Sequence, residues 1–111
     1  MRRVEASDHA QPMTETELQG HVIKMAAAQG WAIHVHSQGA SNAPRRAVRV
    51  ASNNGYPDMT LARDGEVLWL ELKTQKGTLD PMQVFWQQAL PYYEVIRPSD
   101  LARGRVDELL S

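Results

Sequence analysis

Between Asp58 and Lys73 the chain is committed to folding back on itself. Asp58-Met59-Thr60-Leu61-Ala62 reads as a strand and Val67 to Lys73 as its partner. Asp64-Gly65 between them has the two-residue chemistry of a tight hairpin turn. Val67-Leu68-Trp69-Leu70 makes the second strand apolar enough to be central in a sheet. The antiparallel return brings Asp58 and Glu71 together at one end of the hairpin. Glu71 and Lys73 are two residues apart, so they project from the same face of their strand.

The flanking segments fill in an α/β order. Thr14 or Thr16 can cap a first helix, and Thr14 with Glu17 forms a capping box. Leu18, Val22, Met25, Ala26 and Gln29 recur at helical spacing, and Gly30 stops the helix, predicting 15–29. Trp31 to His36 alternates as a strand. Residues 37–46 read as a loop, with weak strand character at 47–50, and Asn53 to Pro57 is turn chemistry. Asp80-Pro81 places a cap and a proline where a helix over 81–90 starts. Its residues Met82, Phe85, Trp86 and Ala89 are expected to pack on the sheet, Trp86 alternatively shaping a site from behind. Tyr93 to Arg97 is a further strand. Pro98-Ser99-Asp100 opens a last helix bearing Leu101, Val106, Leu109 and Leu110. The expected fold is a central mixed β-sheet flanked by helices. Residues 1–13 read as a flexible N-terminal arm and 14–111 as one domain.

Composition narrows the function classes. A chain of 111 residues has room for one hydrophobic core. It has no cysteine, which excludes disulfides, thiolate zinc sites and cysteine nucleophiles. No apolar run is long enough to cross a bilayer, and no apolar stretch follows Arg2-Arg3, so neither a membrane span nor a secretory signal is expected. The expected location is the cytoplasm, that of the bacterial host if the chain is phage-encoded. A net charge of −1 argues against a general polyanion binder. It is compatible with a nuclease, because a carboxylate site subtracts from the positive total.

Two carboxylates and a lysine converging at a sheet edge suit Mg²⁺, which takes hard oxygen ligands and completes its shell with water or phosphate oxygens. The lysine can orient an attacking water, help deprotonate it, or neutralise charge at a phosphate. A Glu-x-Lys on a strand is by itself an ordinary solvated pair. Here it interrupts an apolar central strand, and the Gly55-Tyr56-Pro57-Asp58 turn supplies a second acid. His34 and His36 share a strand face but lack the further ligands zinc needs. Arg45, Arg46 and Arg49 form the densest basic cluster; beside a nuclease site they would hold DNA backbone, with Lys76, Arg97, Arg103 and Arg105 as weaker contacts.

The ordered set Gly55-Tyr56-Pro57-Asp58, hairpin, Glu71-Leu72-Lys73, then Gly77-Thr78-Leu79-Asp80-Pro81-Met82-Gln83 and Trp86 resembles the VRR-NUC domain. That family belongs to the PD-(D/E)XK nuclease superfamily, and the likeness spans about residues 14–110. It implies a restriction-endonuclease-like core and Mg²⁺-dependent phosphodiester hydrolysis, with Mn²⁺ as a substitute. Asp58, Glu71 and the Leu72 carbonyl would be metal ligands, Lys73 the catalytic lysine and Gln83 a supporting residue. The family also uses a glutamate on the first helix. Glu15 shares the inward stripe of Leu18 and Val22, whereas Glu17 aligns with His21 and Lys24, so Glu15 is the expected site acid, acting directly or through water. Gln19 would assist, and Glu17 would be the capping-box partner. Standalone phage and bacterial members of the family resemble structure-selective enzymes acting on branched DNA such as Holliday junctions, which makes DNA the partner and a homodimer the expected assembly. The competing class is a non-catalytic nucleic-acid-binding module on the same fold, whose mark would be a missing acid; here none is missing.

Overall fold

The computed structural model of the protein describes residues 12–36 and 55–111. In chain order these form α1 (Glu15–Ala28), β1 (Ala32–Val35), β2 (Met59–Arg63), β3 (Glu66–Leu72), α2 (Pro81–Ala89), β4 (Tyr93–Ile96), α3 (Pro98–Ala102) and α4 (Arg105–Leu110). The strands make one four-stranded sheet in the order β1-β2-β3-β4. The first two pairings are antiparallel and β3–β4 is parallel. The sheet is therefore mixed, with α2 as the crossover that a parallel return requires. Arg45, Arg46, Arg49, the expected loop at 37–46 and the weak strand at 47–50 lie outside the described residues, as do residues 1–11 of the arm. Met13, at the arm's end, packs against the core.

The hairpin turn is set by backbone chirality. Asp64 and Gly65 hold φ of 47° and 84°, the paired left-handed conformation that matches the twist of the flanking strands. Met59 pairs with Leu70 and Leu61 with Leu68, so one face of β2 and β3 is aliphatic. Leu18, Val22 and Ala26, spaced by four on α1, close over it with Val106 and Leu110 of α4 and Ile96 of β4. Each fully buried Leu, Ile or Val contributes roughly 1.5–3 kcal/mol. Thr14 and Glu17 form the expected capping box on α1: Thr14 Oγ1 accepts from Glu17 N at 3.1 Å and Glu17 Oε1 from Thr14 N at 3.0 Å.

Trp31 locks this layer at the turn end of the hairpin. Its Nε1 donates to the Leu110 carbonyl at 2.9 Å, and the Arg63 guanidinium stacks on its ring at 4.2 Å. Arg63 also donates to the carbonyls of Gln29, Leu110 and Ser111. The guanidinium thus satisfies carbonyls that α1 and α4 leave open at their C-terminal ends.

Two expectations need correction. The last helix is two: Gly104 sits at φ 81°, which ends α3 and starts α4 in a new direction. The spacing of Leu101, Val106, Leu109 and Leu110 does not register that break. On α2, Phe85 is 53% exposed and Ala89 is exposed, and no residue of the helix is fully buried. Gln83 and Trp86, three apart, turn toward the sheet instead: the Gln83 amide reaches Glu71, and Trp86 packs edge-on against Tyr56 with ring centroids 4.7 Å apart. Met82 stays half-buried beside them. Among the described residues, no helix is long and apolar enough to cross a membrane.

Candidate functional site

Asp58 lies one residue before β2, and the sheet fixes it from both sides. Its carbonyl accepts from His36 N at 2.8 Å, extending the β1–β2 ladder. Its Oδ2 accepts from Leu72 N at 2.7 Å, which turns the carboxylate toward the end of β3. Pro57, fully buried, anchors the preceding turn. Glu71 stands on β3 and is only 3% exposed. Its Oε2 accepts from Gln83 Nε2 at 2.7 Å. Its Oε1 is buried and has no hydrogen-bond partner. Around these two acids lies an open cleft of about 350 Å³ lined by Glu15, Thr16, Gln19, Asp58, Glu71, Leu72, Lys73 and Gln83.

All five side chains expected at the site, together with Leu72, line this one cleft. Glu15 does so from an exposed position at the start of α1. Glu17 is held in the capping box. Thr16, not expected here, lines the cleft beside Glu15; its place next to Glu15, with Gln19 a turn on from Glu15, was the available signal. Tyr93 on β4 was also missed. Its buried hydroxyl has no partner, and it is pushed to higher pKa by burial first and then by the charges of Glu71, Asp58 and Asp80. Nothing in a Tyr-Glu-Val-Ile strand distinguishes such a residue from a core tyrosine.

Burial disfavours the ionised form of both acids. Burial pushes Glu71 up to about 8, and the neighbouring Asp58 charge adds to it; Glu15 and Asp80 act in the same direction and Lys73 opposes them. Burial also raises Asp58, offset by the Leu72 N–H, while Glu15 raises it further and Lys73 lowers it. The metal-free pair therefore keeps one proton near neutral pH, held mainly on Glu71.

Neutral donors support the site. At the start of α2, Asp80 Oδ1 accepts from Gln83 N and Gln83 Oε1 accepts from Asp80 N, both at 2.9 Å. The capping box occupies the amide oxygen of Gln83, so its nitrogen is the end presented to Glu71. Arg97 fixes the loop after β3 by donating to the carbonyls of Thr74 at 2.8 Å, Gly77 at 2.6 Å and Gln75 at 3.3 Å. Arg97, one of the weaker candidates for a DNA contact, thus directs Nη1 of its guanidinium to the chain itself. Arg105 pairs with Glu94, and Arg103 with Asp100 at 3.3 Å. Lys76 is exposed on the turn following β3. His34 and His36 are in ring contact at 4.4 Å, and His36 Nε2 lies 2.8 Å from Thr60 Oγ1; burial, then the charge of His34, lowers the pKa of His36.

Among the described residues, no three His, Asp or Glu side chains stand together as a ready-made metal cage. The donor set here is of another kind: two carboxylates, one with a buried oxygen that takes no hydrogen bond, beside a lysine in an open cleft. Such a set fits a Mg²⁺ ion, which is commonly held by one or two carboxylates and completes its shell with water and phosphate oxygens. Comparison with protein-family models, with curated proteins and with solved structures returns no match.

Proposed function

We propose that this chain is a Mg²⁺-dependent DNA endonuclease of the VRR-NUC type, with a restriction-endonuclease-like core in the PD-(D/E)XK superfamily. The observation that carries the reading is one cleft holding Asp58, Glu71 and Lys73, with a buried Glu71 oxygen lacking any hydrogen bond. Asp58, Glu71 and the Leu72 carbonyl would hold the ion, with Glu15 acting through water. The bound ion supplies Lewis acidity toward the phosphate and a lower pKa for water. Lys73 orients the attacking water or neutralises charge on the phosphate. Gln83 fixes the carboxyl plane of Glu71. Arg45, Arg46, Arg49 and Lys76 would contact the DNA backbone.

The substrate proposed is branched DNA such as a four-way junction, cut by a homodimer whose two-fold axis matches that of the junction. The test incubates the protein with linear, flapped and four-way DNA, in Mg²⁺ and in EDTA. Cleavage in Mg²⁺ alone, strongest on the four-way substrate and lost in Glu71→Gln, is the expected result. Cutting that persists in EDTA or in the variant would overturn the assignment.

A further inference from the structure

The turn that delivers Asp58 to β2 crosses the first turn of α2 at Gly55. Gly55 holds φ +76°. A Cβ at this position would stand 2.5 Å from Met82 Cβ, 2.7 Å from the Met82 carbonyl carbon and 3.0 Å from Gln83 N. Two of those atoms are helix backbone, so no side chain can swing away to make room. The neighbouring residues extend the contact. The Tyr56 ring meets Trp86 edge-on at 4.7 Å, and its hydroxyl accepts from Trp69 Nε1 at 3.1 Å. Asp58, two residues further on, accepts from Leu72 N. One short segment therefore touches α2 at positions 82, 83 and 86 and β3 at 69 and 72.

We propose that Gly55 is a positioning residue, acting through α2 on the acids of the cleft. By letting the main chain before Asp58 seat directly on Met82 and Gln83, it sets the separation at which the Gln83 amide meets Glu71 Oε2 at 2.7 Å. A methyl group there forces the turn and α2 apart; on this proposal α2 yields and the amide moves with it. The effect on cleavage rests on the nuclease reading above; the effect on the Gln83–Glu71 bond does not.

Gly65 provides the control. It holds φ +84°, and a Cβ on it meets nothing within 4 Å. Gly65→Ala therefore has the strain of a left-handed alanine without a collision. The experiment compares Gly55→Ala, Gly65→Ala and wild type. It records the ¹H–¹⁵N resonances of the Gln83 side-chain amide in metal-free protein, and the cleavage rate per folded molecule in Mg²⁺. In Gly55→Ala the amide resonances should shift toward those of an unbonded glutamine. Cleavage should fall on the order of 10²-fold, as misplacement by about 1 Å does. Gly65→Ala should melt earlier than wild type yet leave both readouts unchanged. Amide resonances unmoved in Gly55→Ala, or moved equally in Gly65→Ala, would overturn the proposal. If Gly55→Ala does not fold, Gly55→Ala/Met82→Gly removes the nearest of the three atoms and leaves the two backbone contacts. A displaced amide in that double variant supports the proposal, and a wild-type amide overturns it. A wild type that cuts no DNA would remove the nuclease reading and leave the amide comparison standing.

Discussion

Replacing Glu71 by glutamine should stabilise the metal-free protein in mildly alkaline solution and change little in acid. The folded carboxyl titrates at about 8 against an ordinary 4.5. Below the ordinary value both folded and unfolded chains carry the proton, and the site is not penalised. As pH rises the unfolded chain releases its proton first, so stability falls until the folded carboxyl also ionises near 8. At about 1.36 kcal/mol for each pH unit of that window, the loss is at most about 5 kcal/mol, and coupling to Asp58 makes a few kcal/mol the working figure. Glutamine has no such proton to lose. Its amide oxygen can accept from Gln83 Nε2 in place of Glu71 Oε2. Melting curves in EDTA at pH 5 and pH 9 decide the matter. The variant should melt on the order of 10 °C above wild type at the higher pH, and within a few degrees of it at the lower. A constant gap across that range, or a variant less stable at pH 9, would show that burial and the Asp58 charge do not raise Glu71 as described.

Three further outcomes are expected. Glu15→Gln should reduce cleavage strongly, while Glu17→Gln should leave cleavage intact and lower stability by a few tenths to about 1 kcal/mol as its capping box weakens; the reverse pattern would place the wrong face of α1 at the site. Asp58→Asn should melt in EDTA at or above the wild-type temperature and gain much less from Mg²⁺, which stabilises wild type by binding only the folded site; an equal Mg²⁺ shift would mean Asp58 is not a ligand, and a large loss in EDTA would make its bond to Leu72 N structural. Light scattering at micromolar concentration should give a dimer mass, and a monomer that still makes paired cuts in a four-way junction would defeat the symmetry argument.

The features legible in the sequence are those decided over short distances. Asp64-Gly65 selects its turn through the conformations of two residues, and the turn then fixes which residues of β2 and β3 face each other. Thr14 with Glu17 and Asp80 with Gln83 are capping boxes written at fixed spacing. Once the hairpin is set, Asp58 must meet the end of β3, so the pairing of the acids follows from local rules. Long-range choices were not legible. Arg97 binds carbonyls some twenty residues earlier in the chain, and nothing near it announces that target. The rotation of α2 turns Gln83 toward Glu71 and Trp86 toward Tyr56, leaving Phe85 and Ala89 exposed despite their apolar spacing. Gly55 reads as turn chemistry, but its need to be glycine comes from a helix almost thirty residues away.

The kinds of donor around the acids bear on what they can bind. Leu72 N–H and the Gln83 amide are neutral donors, and each stabilises a carboxylate without cancelling its charge. An arginine at position 83 could form a bidentate pair with Glu71 and would remove the local negative potential that draws a divalent cation. The described arginines nearest in sequence on the β4–α4 side are engaged elsewhere: Arg97 on loop carbonyls, Arg103 on Asp100 and Arg105 on Glu94. Among the described residues, Lys73 is the cation that acts on both acids, and Glu71 still rises to about 8 beside it. The fold thus holds the carboxylates in place with neutral donors, in a buried setting that disfavours their ionised forms. On the proposed reading, a hard divalent ion would bind the ionised carboxylates, and its binding should displace the proton that Glu71 holds in its absence.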